Sequence, residues 1–314
     1  PRQVGEVLQS DLQMRHRARA DEFLVHVGLE GQALDIDIVA QRDEPLAALV
    51  LSIIGILHRG QNPKDGLVFG HEKLARQPQI RFTYKPGRVH FIGATAWQRD
   101  AFSDIAFQGV SGIKQQQQSG LPALHAHAQY HGENVMLGAG AYFKALRPIV
   151  TEDRFTTGAG QAYATITSEA ATIRAKATYG ASLSDHLMTG GYVYNEIAND
   201  FYPLDLLSTW VDIDGTGTLA PGLFVGYLTN EGSSDEVGTA SALTPAARGA
   251  NIDYVWRVSP RLSLNYEALR FAFELEMTSA RYASRFDENY APNPADGDDP
   301  VTNVRGNFSV FLSF

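Results

Sequence analysis

Cysteine is absent from this chain of 314 residues. No disulfide framework holds the fold together, and the absence fits a reducing compartment and an exported protein equally well. The chain also lacks the run of about 18 apolar residues that a transmembrane helix requires. Its longest apolar stretch, Pro45–Leu57, is 13 residues long. That stretch is too short to cross a bilayer as a helix but long enough to cross as a strand.

Basic residues are in the minority. The 26 Lys and Arg face 35 Asp and Glu, which gives a net charge of −9. Because nucleic-acid binding needs a basic surface, we predict no nucleic-acid partner. No signal peptide is visible, and the chain begins at Pro1 without a start methionine. We therefore expect a mature or truncated product.

The residues that are abundant favour strands and turns. Glycine occurs 29 times, Phe 16 times and Tyr 13 times, against four Met, and aromatic residues are enriched in strands. The mean hydropathy of −0.18 resembles that of a soluble protein. It is also what a membrane barrel predicts, because only one face of each strand contacts lipid.

Hydrophobic residues recur with a period of two from about residue 78 onward. Ile80, Phe82 and Tyr84 alternate with polar residues, and this alternation is typical of a strand with one apolar face. Similar alternation predicts further strands over residues 89–97, 124–130, 135–143, 173–179 and 271–277.

Short turns and long polar segments separate these strands. Turns are predicted at Pro86–Gly87, Gly132–Asn134, Ser184–His186, Ala220–Gly222 and Ser259–Arg261. The long polar segments are Ala101–Ser119, Thr151–Gly160, Glu231–Ala247 and Ser284–Thr302. Outer-membrane barrels have this asymmetry between short periplasmic turns and long outer loops. We predict one all-β domain over residues 1–314, an antiparallel transmembrane β-barrel of about 16 strands, within a range of about 14 to 18.

Aromatic residues recur near the predicted strand ends, where they suit interfacial girdles. They are Tyr84, Trp97, Tyr130, Phe143, Tyr179, Tyr192, Trp210, Tyr227, Tyr254 and Trp256.

The last strand carries the most specific signal. Phe308, Val310, Leu312 and Phe314 share one face, and the chain ends on the last of them. A final strand ending in Phe resembles the signature by which the barrel-assembly machinery recognises its clients. Closure of the barrel is expected because lipid leaves no partner for unpaired backbone groups.

Four ordered blocks resemble a functionally uncharacterised, porin-like outer-membrane family of Bacteroidota. They are Gln77–Gly87, Gly138–Pro148, Arg248–Arg261 and Phe273–Ala280. The likeness covers roughly residues 77 to 314, whereas the first 75 or so match poorly. Relatives carry extra strands before them, so the N-terminal strands of this barrel are expected to be incomplete. The resemblance implies an outer-membrane location and a channel-like barrel, without a substrate or catalytic residues.

Two sets of residues are candidates for chemistry. His125, His127 and His131 point the same way along a strand, but neighbouring members lie about 7 Å apart, too far to share one ion easily. Glu274 and Glu276 have the same spacing and fit charged pore residues better than an acid–base pair. No G-x-S-x-G motif supplies a serine nucleophile. We therefore predict no enzyme activity, no metal and no cofactor.

Charges on the polar strand faces are predicted to line a water-filled lumen and to bias which solutes pass. These residues are Arg81, Lys85, Arg174, Lys176, Asp253, Arg257, Glu267, Arg270, Glu274 and Glu276.

The sequence is compatible with three functions. The first is a passive channel for small hydrophilic solutes, homotrimeric by analogy with porins and surrounded by outer-membrane lipid and lipopolysaccharide. The second is a structural or accessory barrel of a larger envelope complex, with a plugged lumen. The third is a soluble all-β binding protein.

Overall fold

The computed structural model describes residues 22–28, 34–41, 79–97, 106–186, 188–238, 242–295 and 297–312; the first two ranges, Gln79 and Leu312 are described by their backbone alone. The predicted apolar stretch Pro45–Leu57 lies outside these residues. The strands are β1 (Glu22–Gly28), β2 (Leu34–Gln41), β3 (Gln79–Tyr84), β4 (Val89–Ala96), β5 (Ala123–His131), β6 (Val135–Leu146), β7 (Phe155–Thr167), β8 (Ala171–Ala181), β9 (Gly190–Asn195), β10 (Asp200–Gly215), β11 (Leu219–Ser233), β12 (Leu243–Arg248), β13 (Ile252–Tyr266), β14 (Leu269–Tyr282) and β15 (Val301–Leu312). An α-helix, α1, covers Gly112–Ser119, and a 3-10 helix covers Leu183–His186.

The strands form one antiparallel sheet, which confirms the predicted fold class. Its main path runs β1 to β8, then β10, β11, β13, β14 and β15. The short strands β9 and β12 pair with each other, and β9 also pairs with the start of β10. Among the described pairings, none joins β1 to β15. Closure of the barrel therefore stays a prediction.

The two ends of the sheet differ as predicted. Successive strands are joined at one end by short turns, at residues 85–88, 132–134, 168–170, 216–218 and 267–268. The connections at the other end are long, at residues 97–122, 147–154, 182–189, 234–242 and 283–300. Among the described strands of the main path, the short turns thus lie at one end of the sheet and the long connections at the other.

Two predicted turns are wrong because they lie inside strands. Ala220–Gly222 lies within β11, and Ser259–Arg261 lies in the middle of β13. Proline can occupy a strand where its missing N–H is not needed. Pro260 pairs with β11, while the pairing with β14 is interrupted between Val258 and Arg261. The proline thus falls at a gap in the ladder rather than at a turn.

Two of the connections contain helices that the sequence reading missed. The Gln-rich segment forms α1, with Ser111 as its N-cap and Gly120 in the left-handed conformation at its C-terminal end, both common helix-end residues. Ser184–His186 is not a hairpin turn. It belongs to the 3-10 helix at the long-loop end of the sheet.

The two faces of the sheet have opposite polarity and opposite burial. On one face, Phe82 is 47% exposed, Leu137 48% and Phe273 52%. On the other face, Asp212 is 0% exposed and Arg261 8%. We call these the outer face and the inner face. This arrangement is the opposite of that in a soluble β-sandwich, where the apolar faces of two sheets pack together in the core.

Most of the predicted girdle residues fit this division, but two do not. Tyr130, Tyr179 and Tyr227 are exposed on the outer face. Trp210 is buried on the inner face against Phe224. Tyr192 is buried at the long-loop end. For these two, the prediction of an interfacial position is wrong, because proximity to a strand end does not fix the face.

An aromatic core fills the long-loop end. Phe107 lies within 5.4–5.9 Å, between ring centroids, of Tyr192, Tyr194 and Phe201. The Tyr192 hydroxyl donates to Oε1 of Gln115 in α1 at 2.9 Å. The loops therefore form a packed layer over the end of the sheet. No helix in the described part of the chain is long and apolar enough to cross a membrane.

Phe107→Ala tests this layer. Phe107 is 2% exposed, so its truncation should destabilise the layer by about 3–5 kcal/mol through lost packing and a cavity. Hydrogen exchange should speed up in β9 and β12 while β5 to β8 stay protected. The control is Ile197→Ala, because Ile197 is 79% exposed. Equal exchange in the two variants would contradict the packing of the layer.

Candidate functional site

A charge network crosses the inner face between β8, β10 and β13. Arg261 donates from Nη1 to Oδ1 of Asp212 at 2.6 Å and from Nε to Oδ1 of Asp214 at 2.9 Å. Arg174 donates from Nη1 to Oδ2 of Asp214 at 2.8 Å. Asp212 and Arg261 are almost fully buried. Each charge therefore has a partner on another strand, which buried ions require.

Gly222 leaves the space that this network needs. It lies on β11, opposite Arg261 on β13 and Asp214 on β10. A Cβ atom at this position would stand 2.5 Å from Nε of Arg261. The guanidinium thus reaches the carboxylates of β10 by passing over a glycine.

A second network joins β13, β14 and β15. Arg257 Nη2 lies 3.2 Å from Oε1 of Glu276, and Arg305 Nη2 lies 2.9 Å from Oε2 of the same carboxylate. Arg257 also donates from Nε to Oγ1 of Thr278 at 3.1 Å. One carboxylate thereby bridges two cations on the strands at either side.

Imidazole, phenol and amide groups line the inner face of β5 to β7. Gln129 donates to the Tyr163 hydroxyl at 2.9 Å, and that hydroxyl lies 3.3 Å from Nδ1 of His127. His131 packs against His90, with ring centroids 4.0 Å apart and the ring planes tilted by 33°. His125 lies against Tyr142 and His186 instead. The three predicted histidines therefore have different neighbours.

One connection folds onto the inner face. We call residues 182–186 together with Met188 the inner segment. The chain leaves β8 at Ser182, which has a φ of 56°. Leu183 then packs with Leu206 and Tyr142, and Met188 packs with a cluster formed by Trp210, Phe224 and Leu228. The inner segment thus covers the wall from β6 to β11.

A buried ion pair fixes the inner segment to β6. Lys144 Nζ lies 2.9 Å from Oδ1 of Asp185, and both side chains are 2–3% exposed. Lys144 also donates to the Ser182 carbonyl, and the Tyr142 hydroxyl donates to Oδ2 of Asp185. Burial alone raises the pKa of the Asp185 carboxyl, but Lys144, His186 and the Tyr142 hydroxyl lower it to about 2. The carboxylate is therefore ionised at neutral pH.

Seven of the predicted lumen residues lie on inner-face positions of strands. The register places Arg174 opposite Asp212 and Arg257 opposite Thr278. Arg81, Lys176, Glu274 and Glu276 occupy further inner-face positions. Arg270 also lies on this face, where it donates from Nη2 to Ser263 at 3.0 Å and lies over the Phe311 ring. Their role in selectivity stays a prediction.

Three predicted residues lie elsewhere. Lys85 and Glu267 are in turns rather than on strands, so their placement on a strand face is wrong. β3 ends at Tyr84, and Pro86, which has no N–H to donate, follows Lys85 in the turn. Glu267 has a φ of 49° in a two-residue turn. Asp253 lies at a register irregularity near the long loops, 3.7 Å from Arg281 Nε.

The sequence reading missed Lys144, Asp185, Asp212 and Asp214 as site residues. Asp212 and Asp214 alternate with Val211 and Ile213, so the period-two rule could have found them. No local pattern marks Asp185, because it contacts Lys144 across 41 residues of sequence.

The predicted assembly signal is partly described. Phe308 and Val310 are 68% and 53% exposed on the outer face of β15. Leu312 ends the strand, and Phe314 lies outside the described residues.

Comparisons with known proteins identify a fold but no family. No protein-family profile and no curated protein matches the chain. The outer membrane channel DcaP of Acinetobacter baumannii has a similar structure, with a TM-score of 0.61 and 11% identity over 93% of this chain and 84% of that one. A porin matches at a TM-score of 0.44, with 11% identity over 92% of this chain and 90% of its own. OmpT, an outer membrane protein of Vibrio cholerae, matches at 0.43, with 9% identity over 94% and 86%.

Gly222→Ala should displace the Arg261 guanidinium and leave the carboxylates of β10 without it. Breaking a buried ion pair costs about 3–5 kcal/mol, so the free energy of unfolding in urea should fall by about 3 kcal/mol. Gly160→Ala is the matched control, because nothing lies within 4 Å of its added Cβ. Similar losses in both variants would contradict the crossing of Arg261 over Gly222.

His186 gives the inner segment a pH dependence. Burial lowers the pKa of this imidazole; Asp185 opposes the shift, while Lys144 and Lys176 add to it. The unfolded chain therefore binds the proton first, and acidification through about pH 6.5 should cost up to about 1.4 kcal/mol per pH unit. Asp185 adds no change between pH 8 and 5, because its carboxyl titrates at about 2.

The measurement is urea unfolding of the unmodified chain and of His186→Gln at pH 8, 7, 6 and 5. The variant should gain stability relative to the unmodified chain below pH 6.5, since the other histidines are common to both. Parallel pH curves would contradict a lowered pKa at His186.

The inner-face networks and the inner segment thus occupy a sheet of known architecture. At 11% identity, the likeness to DcaP establishes the fold alone: this chain has the fold of an outer-membrane channel.

Proposed function

We propose that the chain is an outer-membrane channel through which small hydrophilic solutes diffuse passively. The observation that carries the proposal is the inverted sheet, in which large apolar side chains are exposed while charged ones are buried. Exposed apolar surface costs about 25 cal/mol per Å² in water, so a face of this extent needs an apolar environment. Acyl chains supply it, and a water-filled interior suits the charged face.

Strand length supports a bilayer crossing. β7 has 13 residues, β8 has 11 and β15 has 12, against about 9–11 for a tilted transmembrane strand. A bacterial outer membrane is the location proposed, since closed barrels cross that membrane. Membership of the Bacteroidota porin-like family stays a prediction.

The inner-face charges are proposed to tune selectivity by the field that they set up across the lumen. Their ion pairs, such as Arg305 with Glu276, suit a lining rather than acid–base chemistry, so no reaction is proposed. Contact with lipid and lipopolysaccharide, recognition by the barrel-assembly machinery and a homotrimeric state are further parts of the proposal.

A second candidate is an accessory barrel with a closed lumen in a larger envelope complex. The packing of Met188 against Trp210, Phe224 and Leu228 favours it, because this contact carries the inner segment across the inner face. A channel needs an open path for solutes beside the inner segment, whereas an accessory barrel with a closed lumen does not.

Conductance in a planar lipid bilayer distinguishes the two. The refolded chain, with folding checked by its heat-modifiable mobility in gels, should give stepwise increases of current. The same preparation after heat unfolding is the control. Folded protein that inserts but gives no steps would favour the accessory barrel.

Substitution on the outer face tests the membrane environment. Leu275→Arg, near the middle of β14, should destabilise folding into phospholipid vesicles by about 2–4 kcal/mol. Tyr266→Arg, at the turn end of β13, should cost about 0–1 kcal/mol. Both positions are exposed, at 42% and 64%, so equal costs would contradict a bilayer around this face.

A further inference from the structure

The inner segment has two anchors of different chemistry. At one end, Asp185 is paired with Lys144 on β6. At the other, Met188 packs against an apolar cluster on β10 and β11. The backbone adds few bonds, among them Ser182 N–H to the Leu204 carbonyl at 3.0 Å. Because residues 182–186 and Met188 are not in the sheet ladder, the position of the inner segment depends on side chains.

We propose that Lys144 and Asp185 act as a latch that holds the inner segment against the wall and thereby sets the width and charge of the solute path. This inference rests on the proposed channel function. The two residues are positioning residues, because they act through the segment that they hold.

The surroundings of the pair make its two charges interdependent. Tyr142 on β6 and His125 on β5 flank it from the wall, and His186 flanks it from the inner segment. Among the described groups that bond to Asp185, Lys144 is the sole cation. Neutralising either member leaves the other charge buried without its counter-ion. An unpaired buried charge is strongly destabilising. The segment should then move away so that water reaches the remaining charge.

Removal of one charge or the other should have opposite effects on selectivity. Asp185→Asn leaves the Lys144 ammonium facing the path, whereas Lys144→Met leaves the Asp185 carboxylate there. Both should widen the path and raise single-channel conductance. The reversal potential in a salt gradient should shift toward anions in the first variant and toward cations in the second. A purely structural role would not produce shifts of opposite sign.

A thiol probe follows the inner segment independently of conductance. The chain has no cysteine, so Ser184→Cys introduces a single thiol at a position that is 5% exposed. A charged methanethiosulfonate reagent should react slowly with it. Adding Asp185→Asn or Lys144→Met should speed the reaction at least tenfold.

The matched control is Arg88→Gln, which removes an exposed ion pair with Glu133 in a turn at the opposite end of the sheet. Its reaction rate and conductance should equal those of the Ser184→Cys chain alone. Folding of every variant is checked by heat-modifiable mobility. If either Asp185→Asn or Lys144→Met does not fold, the other variant still tests the latch, because it removes the opposite charge of the same pair.

The outcomes separate the latch from the channel. A thiol that stays protected in a folded latch variant overturns the latch. Selectivity shifts of the same sign in the two variants also overturn it. A third outcome is that no chain gives current although the thiol reacts faster in the latch variants. That result overturns the channel function but supports the conclusion that Lys144 and Asp185 hold the inner segment.

Discussion

The two-residue period of an extended chain is the constraint on which this structure depends. It sends successive side chains to opposite faces, so a strand with alternating chemistry gives the whole sheet one apolar and one polar face. Antiparallel pairing preserves this division, because directly opposed residues lie on the same face. Phe273 thus lies beside Phe308, while Glu276 lies beside Arg305. A single shift in register would place charges among the apolar side chains, so the alternation also fixes how each strand is aligned with the next.

Burial on the polar face creates a requirement that a solvated face would not have. Charges removed from water need partners, and here the partners come from other strands of the same sheet. Arg261 reaches Asp212 across β11 because Gly222 leaves the intervening position open. Arg305 and Arg257 share Glu276. These pairs connect strands of one hydrogen-bonded sheet, so they stabilise the wall in its existing shape.

The sequence predicts the strands and their faces well because alternation is local and is repeated in every hairpin. It fails where a residue's position depends on distant contacts. Pro221 and Pro260 look like turn residues, yet each lies in a strand where its missing N–H is tolerated. Trp210 looks like a girdle residue but packs inward against Phe224. Asp212 and Arg261 are 49 residues apart, so their pairing depends on the order of strands in the sheet, which no local pattern encodes.

The same ion-pair chemistry has a different mechanical consequence at Lys144 and Asp185. Arg174 and Asp214 lie on strands that pair with each other, so loss of their contact would leave the backbone ladder in place. Lys144 lies on a strand, but Asp185 lies on a segment outside the ladder. Loss of that contact would remove the polar anchor of the segment and leave mainly the apolar packing of Leu183 and Met188. The wall and the inner segment can therefore differ in mobility within one molecule. Backbone hydrogen bonds between strands restrain the wall, whereas mostly side-chain contacts restrain the inner segment.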